Sequence, residues 1–434
     1  MNKPDFDTLH PYVRQYSDLG TGPVPVSPVV SPEYFERERE AIFKKIWLNL
    51  GRVEDVPNPG DYVVRDIAIL KASFALVRGD DGQVRAFHNV CRHRGNQVAQ
   101  GRGNAKGFAC GFHGWTYDTA GRCVFVPDEE VFFDLDRSQL GLPAVRCETF
   151  AGFIFVTVNL AAPPLAQYLG GFGDQIKDFP FHTMQRMHTL KADVNCNWKV
   201  FIDAFQESYH GRFVHRLTAA AAGCVEDDPY AHLTSVRLYG PHRSASVPFN
   251  PGYQPTPAEA LSFKYAQSLW LHEGNAGAQR TPGTNPAGHP NWLFDINVCF
   301  PNFFVDVSSS WFFTYHFWPV AVDRTHWEYN FYMLPPRNAG ERISREYSKL
   351  YLRDLLREDL STVETTQAGL ASGAIEHMIL SDQEVAVRHQ YKVVDDMVSG
   401  RWRGSPMLFV PQALSRRDPT GRRAGTGRRR ARAW

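Results

Sequence analysis

Polar and apolar positions divide the chain into a run of short strands followed by a part that mixes long helices with aromatic strands. Ser31-Pro32-Glu33 has the signature of a helix start, with a Ser cap, Pro in the first turn and an early acid. Apolar Phe35, Ile42, Ile46 and Trp47 predict a helix from there to about Leu50, broken by Pro57, Pro59 and Gly60. Residues 75–77 and 84–87 flank Gly79-Asp80-Asp81-Gly82, and residues 116–117 and 123–125 flank Asp118-Thr119-Ala120-Gly121. Both patterns predict hairpins. Gly152 to Val158 adds an apolar strand, and Ala161 to Pro164 with Gly170-Gly171 marks a boundary. Beyond it the pattern predicts a helix from Trp198 to about Leu217, a long loop from Gly274 to Pro290, strands over 303–320 and 325–334, and a long helix from Glu341 to about Leu370.

Composition narrows the class. The 434 residues are 43% hydrophobic and 21% charged, values of a folded globular chain long enough for two or three domains. No apolar run reaches the roughly 20 residues of a membrane span, and Met1 to Gly20 lacks an apolar signal segment. Net charge is +1, but residues 415–434 carry eight Arg against Asp418 alone, or +7, which leaves −6 on residues 1–414. The mildly acidic body argues against nucleic-acid binding, and the Arg/Gly tail reads as disordered. Seven Cys, an odd number, fit a reducing cytoplasm better than a disulfide framework.

Closely spaced Cys and His then suggest a metal. Cys91-Arg92-His93 is followed after sixteen residues by Cys110-Gly111-Phe112-His113. Two thiolates and two imidazoles suit either a closed zinc site or a two-iron cluster with Cys on one iron and His on the other. Zinc fingers usually pair Cys with Cys and His with His, whereas here each loop supplies one of each. Glycines at 95, 101, 103, 107, 111 and 114 suit backbone wrapped tightly round a cluster. The bland alternative is four residues filling a β core. The run Asn89-Val90-Cys91-Arg92-His93-Arg94-Gly95, with Cys110-Gly111-Phe112-His113-Gly114-Trp115-Thr116-Tyr117-Asp118, resembles the Rieske non-haem iron oxygenases, the large (α) subunits of ring-hydroxylating oxygenases. The resemblance covers roughly residues 31 to 395.

A second constellation lies at Asp203, Glu207, His210 and His215. Two His with a distant carboxylate would form a facial triad on Fe(II). Five residues span about 140° of an ideal helix, so His210 and His215 can share one ion only if the helix distorts, and Gly211 permits that. On the late helix, Asp359 falls on the apolar stripe of Leu352, Leu356, Val363 and Leu370, with Glu358 off it. A buried Asp needs a metal or a cation, and the helix alone does not choose between them. The family pattern of an acidic pair followed by Gln-x-Gly-Leu matches Glu358-Asp359 and Gln367-Ala368-Gly369-Leu370, which implies a ligand role for Asp359. The resemblance also implies that Glu207 bridges His210 to the cluster ligand His113 of a neighbouring chain. The best-known aromatic dihydroxylases have Asp there, while Glu occurs in other branches, including oxygenases of quaternary amines. Asp203, one turn earlier, either orders the same helix or serves only as a local hydrogen-bonding residue.

The resemblance implies an α+β chain with a small all-β Rieske domain and a helix-grip catalytic domain, an antiparallel sheet wrapped on a long helix. The expected divisions are an N-terminal arm and helix (1–44) packing on the catalytic domain, a Rieske domain (45–165), a catalytic domain (166–410) and a basic tail (411–434). Implied cofactors are one Rieske 2Fe-2S cluster held by Cys91, His93, Cys110 and His113, and one mononuclear Fe(II) held by His210, His215 and Asp359, with O2 as co-substrate. Glu207 and Asp203 are the candidate catalytic residues. The expected function is a cytoplasmic terminal oxygenase that draws NAD(P)H electrons through a ferredoxin or flavin reductase and hydroxylates an aromatic or other apolar small molecule. The alternative is monooxygenation or demethylation of a quaternary amine or methylated substrate. A homotrimer is implied, with a small β subunit as a further partner. Arg92, Arg94, Arg102 and Lys106 are candidates for docking an acidic donor, and Phe201, Phe205, Phe303, Phe304, Trp311 and Phe313 for lining the pocket. Rival classes are a pure electron-transfer Rieske protein, which needs no triad, and a ligand-binding protein with structural zinc.

Overall fold

The structure is a computed structural model and describes residues 10–264 and 281–402. The expected basic tail and the first part of the expected 274–290 loop lie outside the described residues.

After two short helical turns at Pro11–Gln15 and Ser27–Val30, helix α1 (Pro32–Glu38) begins as the Ser31 cap predicts, with the Ser31 hydroxyl accepting from the Tyr34 amide. It does not run to Leu50. A wider helical turn over Arg39–Phe43 closes it, and the next apolar run is strand β1 (Leu48–Arg52). That run could satisfy either period, and pairing decides it. Strands β2 (Asp61–Ile67), β3 (Ala72–Arg78), β4 (Val84–His88) and β5 (Arg102–Asn104) form a four-stranded sheet in the order β4-β3-β2-β5. Strands β6 (Gly107–Ala109), β7 (Thr116–Asp118) and β8 (Cys123–Phe125) form a second small sheet. The two expected hairpins are β3-β4 and β7-β8. Strand β1 pairs with β10 (Phe153–Thr157), which pairs in turn with β9 (Arg146–Phe150).

After helix α2 (Leu165–Ile176) the chain builds a seven-stranded antiparallel sheet. Its strands are β11 (Gln185–Val194), β12 (Ser235–Tyr239), β13 (His242–Pro248), β14 (Trp292–Cys299), β15 (Phe303–Val307), β16 (Trp311–Ala321) and β17 (Arg324–Met333). The spatial order is β11-β17-β16-β15-β14-β13-β12. The aromatic run expected as one strand over 303–320 is two strands, because Ser308, Ser309 and Ser310 turn the chain between β15 and β16. Helix α3 (Trp198–Asp203) also stops short of the expected Leu217. A separate single turn, α4 (Gly211–Val214), follows it. The late helix α5 (Ala339–Ala371) has the expected length, and α6 (Val385–Val398) follows it.

The period of two gives the large sheet two apolar faces. The inner face carries Trp311, Phe313, Tyr315 and Phe317 of β16 and Trp327, Tyr329 and Phe331 of β17, packed with Phe201 and Phe205 and with the stripe of α5. The outer face carries Phe303, Val305, Val307, Phe312 and Tyr332, which pack on Trp47, Phe153 and Phe155. Phe303 therefore belongs to the seam with the small sheets and does not line a pocket on the inner face. Arg52 is sealed in that seam, its guanidinium 4.6 Å from the Phe153 ring centre and 5.4 Å from those of Phe312 and Tyr332, with Glu54 as counter-charge.

A second buried charge pair ties α1 to α3. Lys199 Nζ lies 2.5 Å from Glu38 Oε1, and the Trp198 indole donates to Glu38 Oε2 at 2.9 Å. Both charged side chains are fully enclosed. Burial raises the Glu38 carboxyl and lowers the Lys199 ammonium, each against the pull of its partner. Removing one partner strands the other, so Glu38→Ala should cost about 3–5 kcal/mol, whereas Glu38→Leu with Lys199→Met should cost far less. Chemical denaturation monitored by near-ultraviolet circular dichroism measures both, and equal losses would contradict this account.

Candidate functional site

The Cys and His loops are folded alike. In the first, the Gly95 amide donates to Cys91 O and the Cys91 amide to Asn96 O; in the second, Gly114 donates to Cys110 O and Cys110 to Trp115 O. Gly95 and Gly114 close these turns at φ +79° and +73°, a conformation that excludes most side chains. The thiols point inward, with Cys91 and Cys110 buried, and His93 and His113 sit toward the surface. The imidazole centres are 4.5 Å apart, and His93 stacks on Trp115 at 5.0 Å. Tyr117 OH lies 3.3 Å from Cys91 Sγ, and the Asn96 amide donates to Cys110 Sγ at 3.7 Å. Burial opposes ionisation of Cys110, but the Phe112 amide, Asn96, Cys91 and the His113 amide together draw its thiol below the ordinary value. His93 Nδ1 is buried and has no hydrogen-bond partner.

This donor set discriminates between the metals. Among the described residues, the metal-binding group whose ligand atoms all close on one another is His210, His215 and Asp359. The Cys/His quartet does not close on a single point, as one tetrahedral zinc would require. Paired thiols at depth and paired imidazoles near the surface fit a two-iron cluster, with N–H donors directed at sulfur.

The second site depends on a helix that stops. The Asn197 side chain caps α3 by accepting from the Lys199 amide, and the helix ends at Ala204. The chain resumes one helical turn at α4, with His210 at its start and His215 at its end. The two imidazoles therefore turn toward each other, Nε2 to Nε2 at 3.2 Å. Asp359 Oδ1 lies 3.0 Å from His215 Nε2 and 3.5 Å from His210 Nε2, yet takes part in no aligned hydrogen bond. Ligands about 2.1 Å from one ion stand about 3.0–3.4 Å apart, so these three atoms are spaced as one face of a coordination sphere. The Asp359 carboxylate is 4% exposed.

Each imidazole is held from behind by a carboxylate. Glu207 Oε1 lies 2.5 Å from His210 Nδ1, and Glu207 Oε2 accepts from the His210 amide. Glu358 Oε2 lies 3.0 Å from His215 Nδ1 and accepts from the Thr218 hydroxyl at 2.6 Å. Both Nδ1 atoms are thereby engaged and both Nε2 atoms are left for a metal. Burial alone would lower both imidazoles, but Glu207 and Asp359 outweigh it and raise His210 to about 9. Asp359 and Glu358 likewise raise His215. Sequence reasoning passed over Glu358 because it lies off the apolar stripe, and its one signal was its place in the acidic pair. The stripe faces the core, while the next position round the helix faces α4.

Asp203 is directed elsewhere. It accepts from Tyr391 OH at 2.8 Å and from the Gln206 and Gln390 amides at 3.2 Å, binding α3 to α6. Arg243, fully enclosed, donates to the same two glutamines. Phe201, Phe205, Phe304, Trp311 and Phe313 lie in the inner core, with Phe205 5.1 Å from Tyr315. Arg92, Arg94, Arg102 and Lys106 are exposed, and Arg94 covers the Phe112 ring.

Residues 46–142 match the model of the Rieske [2Fe-2S] domain. Residues 181–400, just over half the chain, match that of the ring hydroxylating alpha subunit catalytic domain. The oxygenase subunit of carnitine monooxygenase from Acinetobacter baumannii is 26% identical over 79% of this chain and 83% of its own length. The large oxygenase component of the 2,4-dinitrotoluene dioxygenase system of a Burkholderia species is 39% identical over 42% of each chain. The structure of naphthalene 1,2-dioxygenase from a Rhodococcus species bound to indole superposes with a TM-score of 0.70 over 92% of this chain and 99% of that one, at 22% identity, a likeness of fold.

The Asp203 network has a pH signature. Burial, only partly offset by Tyr391 and Arg243, raises the Asp203 carboxyl to about 7 from its ordinary 3.8. The folded state then holds a proton that the unfolded state has lost, so this contribution to stability is complete below about pH 4 and is lost as pH rises through about 7. Because buried histidines such as His242 and His316 pull the other way over the same range, the readout is the melting temperature of the wild type relative to Asp203→Asn, which should fall between pH 4 and 8. An unchanged profile in the variant would contradict this account.

Proposed function

The chain belongs to the ring-hydroxylating α-subunit family of Rieske oxygenases, and on that premise we propose that Cys91, His93, Cys110 and His113 hold its 2Fe-2S cluster and that His210, His215 and Asp359 hold its ferrous ion. The protein is a terminal oxygenase component, an oxidoreductase that incorporates oxygen from O2 into a small molecule using electrons from a partner. The observation that carries the ligand assignment is the convergence of the three second-site ligand atoms, two imidazole nitrogens and an otherwise unbonded buried carboxylate oxygen. When bound, the cluster supplies one-electron transfer and the ferrous ion supplies a place for dioxygen to react beside substrate.

The chain's own residues orient, shield and connect. Glu207 and Glu358 fix the imidazole tautomers by accepting hydrogen bonds from the Nδ1–H groups. The aromatic inner face, with Phe205, Phe313 and Tyr315, excludes water from the substrate side. Near the cluster loops, Phe112, Phe125, Val131 and Phe133 are exposed, and beside the triad so are Tyr209, Phe213 and Leu217. Two unlike apolar patches suit a head-to-tail contact between copies, which closes as a ring and supports the homotrimer with Glu207 facing the partner's cluster. A ferredoxin or flavin reductase fits as donor beside the exposed Arg92 and Arg94. Seven free cysteines support a reducing cytoplasm. No helix among the described residues is long and apolar enough to cross a membrane. The inner face suits an aromatic or other apolar substrate of the kind catabolised by ring hydroxylation. The Glu at 207, together with the carnitine monooxygenase relative, favours a second reading, attack on a quaternary amine.

Asp359→Ala should keep the visible absorption of the cluster, lose about one iron per chain and abolish turnover in a surrogate-reductase assay with labelled O2. Glu358→Gln should weaken ferrous binding by about 10–100-fold, read from iron retention on dialysis. Retained turnover in the first variant, or unchanged retention in the second, would contradict these roles.

A further inference from the structure

Between the inner face of the large sheet and α5 lies a group of polar side chains that the metal site does not use. The Trp327 indole nitrogen, the Tyr329 hydroxyl, the hydroxyls of Ser344 and Ser348 and both ring nitrogens of His188 are buried and make no hydrogen bond among the described residues. Trp327, Tyr329, Ser344 and Ser348 are each no more than 1% exposed. Buried polar atoms are nearly always paired, so this concentration calls for a partner. The Tyr329 ring lies 6.0 Å from Trp327 and 5.6 Å from His188. Ser344 and Ser348 share the buried stripe of α5 with Leu352 and Asp359, and that stripe packs on this face. Arg345 Nε donates to Met187 Sδ at 3.3 Å, which sets this end of α5 against β11 beside His188. The group also reaches toward the triad. Phe205, two residues before Glu207, lies 6.5 Å from Trp327 and 5.1 Å from Tyr315, which is 5.4 Å from Tyr329.

We propose that Trp327, Tyr329 and His188, with the two serines facing them, form a hydrogen-bonding subsite of the substrate pocket, and that the substrate is an aromatic molecule whose carbonyl oxygen docks there. The proposal rests on the oxygenase reading given above and names its substrate class. The donor set supports it. An indole N–H only donates, so its partner must be an acceptor. Burial pushes the Tyr329 phenol well up and draws the His188 imidazole down to about 4, so near pH 7 both are neutral and each has a proton to offer. A carbonyl accepts without donating and has two lone pairs for such donors. None of the five side chains carries a charge, so a carboxylate would be enclosed there without a cation, which is unfavourable. The surrounding rings, with Phe313 5.6 Å from Tyr329 and Phe331 5.9 Å from His188, give the aromatic body apolar contact. A plain hydrocarbon in the same space would leave the donors unpaired. Asp359 Oδ1 and His93 Nδ1 are buried and unpaired in the same way, and both belong to sites read above as completed by binding. The subsite thus acts on specificity, holding the oxygen-bearing end of the substrate on the sheet while α5 carries the triad carboxylate.

The test is equilibrium dialysis of the iron-loaded holoenzyme against two matched pairs, 1-indanone with indane and 9-fluorenone with fluorene. A purely apolar pocket would prefer the hydrocarbons, because water solvates them less well. In at least one pair the ketone should instead bind at least as tightly as its hydrocarbon. Tyr329→Phe, which keeps the ring, should weaken that ketone about tenfold and leave the hydrocarbon unchanged. The same variant should keep the ligand-free melting temperature, because the hydroxyl it removes has no partner, whereas loss of a structural hydroxyl would lower it. Preference for the hydrocarbon in both pairs, failure of all four to bind, a ketone affinity unchanged in Tyr329→Phe, equal weakening of both members, or a lower ligand-free melting temperature would overturn the proposal. Labelled oxygen entering a hydrocarbon or a quaternary amine while the ketones are refused would overturn it and leave the oxygenase reading standing, whereas a triad that retains no iron would overturn the reading itself.

Discussion

Two imidazole nitrogens 3.2 Å apart and a carboxylate oxygen beside them converge on one point, a buried donor set whose charges a proton or a metal ion must balance. The rest of the catalytic part is arranged so that this cluster persists. Asn197 caps a helix that stops at Ala204, and one turn at Gly211–Val214 brings two histidines five residues apart onto one point. A continuous helix would have turned them away from each other. Glu207 and Glu358 then hold each ring from behind, and the buried stripe of α5 carries Asp359 in from the opposite side.

The large sheet separates the two proposed redox sites. Its outer face is fused to the small sheets through Phe153, Phe303, Phe312 and the enclosed Arg52, and its inner face encloses the triad side with rings. The histidine edge of the cluster cradle points to solvent among exposed apolar side chains. That placement suits electron delivery across a surface, from a donor and toward another chain, better than through the aromatic core of the same chain.

The sequence carried the chemistry more fully than the geometry. The two Cys-plus-His loops were readable because spacing and glycines report a local fold, and the structure gives both loops the same turn. Asp359 was readable because a carboxylate on an apolar stripe stands out. The ends of elements were less legible. The run after Phe43 and the run after Asp203 each keep helical apolar spacing, yet strand pairing with β10 ends the first and the meeting of the two histidines ends the second. Ser308 to Ser310 hid a hairpin inside a continuous aromatic alternation. Glu358 was missed because it is defined by what a distant element, the α4 turn, brings to it.

The central claim is that one polypeptide provides a paired-iron cradle and a separate single-iron site. Iron, zinc and acid-labile sulfide counted on the same anaerobically purified sample test it most directly. The account predicts about three irons and about two sulfides per chain with negligible zinc, and Mössbauer spectra that resolve one high-spin ferrous component apart from the cluster. Two irons alone, or zinc in place of iron, would contradict it.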